Sequence, residues 1–354
     1  MKAARLHRYD ESIPADILKV EEIGEPRIED PFDVIVRVGA AGLCRTDIHI
    51  IEGQWAPIQD PDGTLLPYVP GHENAGWVEE VGSGVTNISV GDTVICHPHV
   101  TCGLCRACRA GDDMHCENAQ FPGLSRDGGF ADLLKTSARS VVKLDPVLEP
   151  KDIAALADAG LTAYHAVRKS VPYLYAGTNT VVIGAGGLGH IGVQCLKALT
   201  PAEVIVVDPN DAALELARDW GADQTVKVEE GYVDTVLEMT NGKGAEVVFD
   251  YVGERGAEDD AWKMTRNGGY HFIIGYGGTV EVPTIDIIST ERSIIGNLVG
   301  TYNDLAELMI LTAQGKVTLH TSTYPLDAVN DAIQDLNTGN LQGRGILIPD
   351  GAST

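Results

Sequence analysis

The chain has 354 residues, 44% of them hydrophobic, and 51 acidic against 26 basic side chains give a net charge of −25; this length suits two domains of unequal size rather than one core. Phosphate binding runs on excess lysine and arginine, so such a charge argues against nucleic acid and against anionic membrane surfaces as partners. No segment has the make-up of a signal peptide or a membrane span: the most apolar window, 181 to 199, is interrupted by His190, Gln194 and Lys197.

Residues 1 to 40 read as short strands, with Val34, Val36 and Val38 alternating and with Pro26 and Pro31 punctuating the approach. The run Gly42-Leu43-Cys44-Arg45-Thr46-Asp47-Ile48-His49 follows. If it is helical, Thr46 and His49, three apart, share a face. His72, in Gly71-His72-Glu73, comes twenty-eight residues after Cys44. Taken singly, a cysteine is most often packing and a histidine most often a hydrogen-bonding group. Cys102, Cys105, Cys108 and Cys116 are more specific. Their spacing, C-x2-C-x2-C-x7-C, puts four of the seven cysteines within fifteen residues, which argues for a metal in a reducing, cytoplasmic compartment rather than a disulfide framework. Four thiolates so placed wrap a tetrahedral zinc and leave no open position, the mark of a structural site. An iron–sulfur cluster is the weaker alternative. A zinc-ribbon module for nucleic acid is disfavoured because only Arg106 and Arg109 flank the cysteines in a very acidic chain.

The central stretch is organised as strand, tight turn and helix. Val181, Val182 and Ile183 end at Gly184, and Gly184, Gly186 and Gly189 form a G-x-G-x-x-G pattern that opens a helical segment through Gly187 and Leu188. A second apolar run, Val204 to Val207, ends at Asp208, nineteen residues after Gly189. Glycines let backbone approach a pyrophosphate at a helix N-terminus, and an acid at that distance accepts hydrogen bonds from a ribose diol. Asp208 would repel a 2′-phosphate and no arginine follows it, so NAD is favoured over NADP; capping of the next helix is a second role open to it. Helical pattern at 212–220, a buried strand at Val247–Asp250, a helix near 257–266, a strand at 270–274 after Gly268-Gly269 and a strand in 293–299 continue the alternation, which predicts a parallel sheet with ligand at its carboxyl edge. A helix follows at 303–315.

These motifs, in this order and spacing, resemble those of the zinc-dependent medium-chain alcohol dehydrogenases over nearly the whole chain, and ADAGLTAYHAV at 157–167 is similar to the bacterial and archaeal secondary-alcohol branch. The resemblance implies an α/β protein. Residues 1–158 and 298–354 would form a GroES-like, β-rich catalytic domain with the structural zinc lobe at 96–116, and 159–297 a doubly wound Rossmann domain. It implies two zinc ions per chain: a structural one on the four cysteines, and a catalytic one on Cys44, His72 and Asp158, the last standing where other members carry cysteine. Glu73 would approach the metal when water or product leaves. Thr46 and His49 would relay the substrate proton, and Asp47 would orient His72. Arg45 and Arg344 match positions near the cofactor phosphates, while Trp55, His99 and Leu298 match positions lining the substrate pocket, which His99 makes more polar.

The activity so implied is hydride transfer between NAD(H) and a primary or secondary alcohol or its aldehyde or ketone. A polyol or sugar dehydrogenase of the same superfamily and a non-enzymatic, zinc-stabilised binding protein are the alternatives. A zinc-free quinone reductase would not need Cys44, His72 or the cysteine lobe. Members often form homodimers through edge strands near 280–300, and this branch often forms homotetramers. The acid excess, with only 11 lysines, leaves two readings open: a salt-loving source, with stability that rises with salt because mutual repulsion of carboxylates is screened at high ionic strength, or a merely acidic cytosolic protein.

Overall fold

The computed structural model describes residues 1–341 and 343–351. The chain divides into two compact units: Met1–Ala159 with Thr301–Ala313 and the segment from Thr318 onward, and Gly160–Gly300 with Gln314–Val317. Among the described residues no helix is long and apolar enough to cross a membrane.

The first unit opens with β1 (Lys2–Leu6) and β2 (Leu18–Glu22), an antiparallel pair. Its large sheet is built on β3 (Asp33–Leu43), which pairs antiparallel with β4 (Glu73–Val81); β5 (Thr93–Cys96), β6 (Leu133–Ser137) and β7 (Val141–Lys143) extend it. Val34, Val36 and Val38 are buried as their alternation predicts, but Ile35 between them is buried too. A strand at the centre of a sheet is covered on both faces, so only Asp33 and Arg37 of β3 stay partly open.

In the second unit β8 (Asn179–Ile183), β9 (Glu203–Asp208), β10 (Gln224–Lys227), β11 (Ala245–Asp250), β12 (Thr265–Ile273) and β13 (Ser293–Gly296) form a parallel sheet in the order β10-β9-β8-β11-β12-β13. The order reverses between β8 and β11, the switch point at which such sheets take ligands. Val181, Ile183, Ile205, Val207, Val248 and Met264 fill the interior. The helix expected at 212–220 runs Asp211–Asp219, that near 257–266 runs Ala257–Met264, and that at 303–315 runs Tyr302–Ala313. The strand expected to start after Gly268-Gly269 begins earlier, at Thr265. A register shift opposite Ala245 and Val247 lets the glycine pair bulge from the strand instead of preceding it.

The chain then returns to the first unit, where β14 (Thr321–Pro325) pairs with β15 (Arg344–Ile348) and β15 pairs antiparallel with β3. The sheet order becomes β14-β15-β3-β4-β5-β7, with β6 also on β3. Leu6, Val36, Ile48, Tyr68, Phe130, Ile333 and Leu347 belong to one core, so both ends of the chain pack together.

Candidate functional site

Because β3 is antiparallel to both β4 and β15, its carboxyl end shares one sheet edge with their amino ends. Leu43 closes β3 and is followed by Cys44, the N-cap of the helix Arg45–Ile51. Glu73 opens β4 opposite Gly42, directly after His72, and Arg344 opens β15 one residue before Gly345, which faces Leu43. Asp158 follows the 3-10 turn Ala154–Ala157. One ligand atom each from Cys44, His72, Glu73 and Asp158 lies within 4.8 Å of the others.

Side-chain contacts order this cluster. Asp47 Oδ2 accepts from the Cys44 backbone N–H at 2.9 Å, which closes a capping box around the first helical turn. Its other oxygen lies 3.2 Å from His72 Nδ1, and His72 Nε2 lies 3.5 Å from Asp158 Oδ2. Burial alone would lower the imidazole pKa, but the charges of Asp47 and Asp158 outweigh it and hold His72 well above the ordinary histidine value. Burial pushes the Asp158 carboxyl up, and His72 and Arg344 pull it to a net position below the usual carboxylate. Glu73 is fully buried and held from two sides: Arg344 Nη2 donates to its two oxygens at 2.6 and 2.5 Å, and the Ala159 N–H donates to Oε1 at 3.0 Å. Burial raises the Glu73 carboxyl, and the Arg344 guanidinium offsets part of that rise. Arg344, expected to face cofactor phosphates, is thus buried with its charge turned onto Glu73, although its Nε has no partner.

The cluster suits a metal. Both ring nitrogens of His72 and the Oδ1 of Asp47 are buried without a well-aligned hydrogen bond, a state that leaves polar groups to be satisfied by something else. A thiol, an imidazole and a carboxylate converging on one point form a donor set for catalytic zinc with a position to spare.

Thr46 and His49 lie on the helix Arg45–Ile51, partly buried, and Arg45 at its first position is exposed. Trp55 caps the short helix Ala56–Gln59 and packs, partly buried, against the first unit's core. His99 is buried beyond β5. Leu298 belongs to the second unit and is exposed. Phe121 escaped sequence reasoning because no motif marks it; its ring meets His72 at 5.9 Å and His99 at 4.6 Å between centroids, edge-on in both cases. His97 was missed as well, and the H-x-H pattern with His99 was its signal.

The four cysteines form a second cluster within the first unit, again with ligand atoms within 4.8 Å of one another. The helix Arg106–Ala110 and the 3-10 turn Asp113–His115 wrap it. Cys102 Sγ accepts N–H bonds from Leu104 and Cys105 at 3.5 and 3.4 Å, and Cys116 Sγ from Cys102 and Asn118 at 3.3 and 3.4 Å. Such bonds favour thiolates; those from Leu104 and Cys105 bring Cys102 down to about 6, whereas burial pushes Cys108 up to about 12. Converging, partly ionised thiols held by backbone fit a fully coordinated zinc.

In the second unit β8 ends at Ile183, the next residue, Gly184, has a φ of +88° that favours glycine, and the helix Gly189–Leu199 begins past Gly186, Gly187 and Leu188. A side chain at Gly189 would strike the Gly184 carbonyl, so that position requires glycine for the helix to approach the turn. Asp208 ends β9, and its two oxygens accept from the Ala185 and Asn210 N–H groups, each at 2.8 Å. The helix Asp211–Asp219 is capped by Asn210, whose side chain accepts from Ala212 and Ala213, so the cap is not Asp208. A partly exposed glycine turn at a helix N-terminus beside a fixed carboxylate suits a dinucleotide.

Comparison with known proteins gives a consistent picture. Residues 30–146 match the alcohol dehydrogenase GroES-like domain, and 187–314 match the zinc-binding dehydrogenase domain. An alcohol dehydrogenase of Geobacillus stearothermophilus is 35% identical over 353 residues, 99% of this chain and 100% of that protein. A D-arabinose 1-dehydrogenase (NADP(+)) of Saccharolobus solfataricus is 32% identical, covering 98% of this chain and 97% of its own length. The crystal structure of the alcohol dehydrogenase from the archaeon Aeropyrum pernix superposes with a TM-score of 0.92 at 46% identity, over 99% of this chain and 100% of that one.

Proposed function

The chain belongs to the zinc-dependent medium-chain alcohol dehydrogenase family, and from that premise we propose that it oxidises primary or secondary alcohols, and reduces their carbonyl partners, with NAD and a catalytic zinc. The convergence of Cys44, His72 and Asp158 around unsatisfied imidazole nitrogens carries this reading. Zinc held there supplies the Lewis acidity that lets a hydroxyl lose its proton near neutral pH, and NAD supplies the hydride acceptor.

The remaining work falls to the chain. Cys44 and Asp158 bring two negative charges and His72 none, so a divalent cation is balanced. Asp47, at 3.2 Å from Nδ1, keeps a proton on that nitrogen and presents Nε2 as the ligand. Arg344 and the Ala159 N–H hold the Glu73 carboxyl in place beside the cluster as a reserve ligand. Thr46 accepts the substrate proton and His49, one turn along the same helix, delivers it to water. The turn Gly184–Gly189 receives the pyrophosphate, Arg45 is the exposed base proposed for the cofactor phosphates, and Trp55 borders the substrate. Asp208 favours NAD, since its carboxylate is pinned by two N–H groups and cannot turn away from a 2′-phosphate. Thiols reserved for metal suit the cytoplasm. A homodimer or homotetramer goes with β13, the edge strand of its sheet among the described residues, and with the exposed Ile285, Ile288 and Ile294.

The test is NADH formation with a panel of primary, secondary, aromatic and polyhydroxy alcohols, with and without chelator and again with NADP⁺. Chelator-sensitive activity on alcohols, greater with NAD⁺, supports the reading. A preference for NADP⁺ would overturn the role of Asp208, and zinc-loaded protein inert toward every alcohol and carbonyl would overturn the enzyme.

A further inference from the structure

Arg139 sits in the turn between β6 and β7, and the fold fixes that turn on both sides. The Ala138 N–H donates to the Phe32 carbonyl at 2.8 Å, the Arg139 N–H to Ser137 Oγ at 3.3 Å, and the N–H of the buried Ser140 to the Ser137 carbonyl at 2.8 Å. From this turn the exposed Arg139 side chain reaches the four-cysteine lobe. A methyl group built on Gly103 would lie 2.5 Å from Arg139 Cζ and 2.7 Å from its Nε and Nη1, so the guanidinium covers the open face of the residue that follows Cys102. The N–H of the same glycine donates to Cys108. Arg139 and Cys108 also line one cleft, of about 470 Å³. Gly103 therefore stands between a guanidinium on one side and the sulfur cluster on the other.

The charge of Arg139 is not used elsewhere. Arg5, Arg8, Arg37, Arg255, Arg266 and Arg344 each meet a carboxylate at 3.5 Å or less, in a chain with 51 acidic against 26 basic side chains. Among the described residues the Arg139 guanidinium meets none. Asp113 lines the same cleft, but its Oδ2 accepts from the Tyr302 N–H at 2.9 Å. What the lobe offers is negative charge of another kind. Four thiolates on one divalent zinc leave two negative charges in excess, and a net charge of −25 makes that excess costlier to hold. A planar, weakly hydrated guanidinium can lie flat on a glycine backbone beside sulfur. We propose that Arg139 is a positioning residue for the lobe's zinc: its guanidinium, laid on Gly103, offsets the excess charge of the tetrathiolate and slows loss of the metal. This rests on the reading of the four cysteines as a zinc site.

The experiment follows transfer of zinc from the full chain to a chromogenic chelator. Cys44→Ser leaves only the lobe's zinc to follow, and the Arg139 variants are compared in that background. Arg139→Met keeps an aliphatic side chain on Gly103 and removes the charge. Release should quicken by about threefold to tenfold, because groups that support ligands from outside the coordination shell are worth ~10–100-fold in metal affinity and solvent screens an exposed charge. Arg139→Lys should restore most of the difference, and molar KCl should shrink it. In Cys105→Ser, whose lobe holds no zinc, adding Arg139→Met should leave the melting temperature unchanged; a residue that served packing alone would lower it there as well, and that result overturns the proposal. If Arg139→Met does not fold, Arg139→Gln takes its place. Release from Arg139→Met at the wild-type rate, or from Arg139→Lys as fast as from Arg139→Met, overturns the role of Arg139 and leaves the lobe's zinc intact. Absence of zinc from the Cys44→Ser protein overturns the zinc reading of the lobe, and this inference with it.

Discussion

The first unit holds two candidate metal clusters of opposite construction. The four-cysteine lobe is assembled from fifteen consecutive residues, and backbone N–H groups point at its sulfurs. Every donor is a thiol, and four thiols close a coordination sphere. The other cluster draws Cys44, His72 and Asp158 from three segments at a sheet edge, mixes a thiol, an imidazole and a carboxylate, and is surrounded by further polar groups: Asp47, Glu73 and Arg344. Local chain geometry is enough to saturate a metal. A site that must stay open has to be held by the tertiary fold, because its geometry cannot be left to ligands alone.

The largest expected effect separates the two. Cys44→Ser or His72→Ala should lower kcat/KM by about a thousandfold or more, since each removes a group acting directly on the metal that stabilises transition-state charge, while the melting temperature moves little and one zinc per chain remains. Cys105→Ser should do the reverse in kind: structural zinc in small domains is worth ~10–16 kcal/mol of apparent binding energy, so the variant should lose the lobe's zinc and unfold at markedly lower temperature. Zinc analysis alongside calorimetric melting checks both. If Cys44→Ser and Cys105→Ser gave the same profile, the division into open and closed sites would collapse.

Next in size is the buried ion pair that supports the open cluster. Arg344→Met leaves the fully buried Glu73 carboxylate without its cation, and breaking a buried pair from one side typically costs ~3–5 kcal/mol. Denaturant unfolding of the zinc-loaded protein should show a loss of that order. The double variant Arg344→Met, Glu73→Gln should recover part of it, because no uncompensated charge remains. A double variant as unstable as the single one would mean that the pair matters for packing rather than charge.

Metal uptake by the open cluster should also depend on acid in a definite direction. Asp47 and Asp158 hold the His72 imidazole well above its ordinary value. In the metal-free protein the group is therefore protonated at neutral pH, and zinc must displace that proton. By the same linkage the raised value stabilises the metal-free fold below the unfolded-state pKa of about 6.5, and that contribution is lost as pH rises through the folded-state value. Apparent zinc affinity should thus rise with pH, by about tenfold per unit for each proton released. Calorimetry in buffers of different ionisation enthalpy counts the protons. Asp47→Asn, which lowers the His72 pKa, should reduce the count; an unchanged count would remove Asp47 from this role.

Contiguity decided what could be seen in the chain beforehand. The cysteine run and the glycine turn each lie within one short segment, so spacing alone pointed to their chemistry. Cys44, His72 and Asp158 carry no such local signal, and only the family resemblance joined them. Arg344 was legible as a base but not as the partner of Glu73, 271 residues away in the sequence, because the pairing arises from β15 lying antiparallel to β3. Ile35 was hidden by its neighbours' alternation, which describes a one-sided strand and not the centre of a sheet. The Gly268-Gly269 pair looked like punctuation before a strand because a bulge and a turn have the same composition; only the register against β11 distinguishes them.

The smallest expected effect tests a feature of the open site that a closed site has no use for, an exit for protons. The helix Arg45–Ile51 follows Cys44 and carries Thr46, two residues from that ligand, and His49 one turn further on, both partly buried. His49→Gln keeps a hydrogen-bonding group of similar size but removes the titrating one. It should lower kcat by about tenfold at low pH, at the low end of a general base's contribution, and by less as the pH rises, because hydroxide and buffer base then take the proton directly. Added imidazole should restore part of the rate at low pH. If the pH–rate profile of His49→Gln followed the wild type throughout, the proton would have to leave by a route that does not use this helix, and the open cluster would be open to substrate alone.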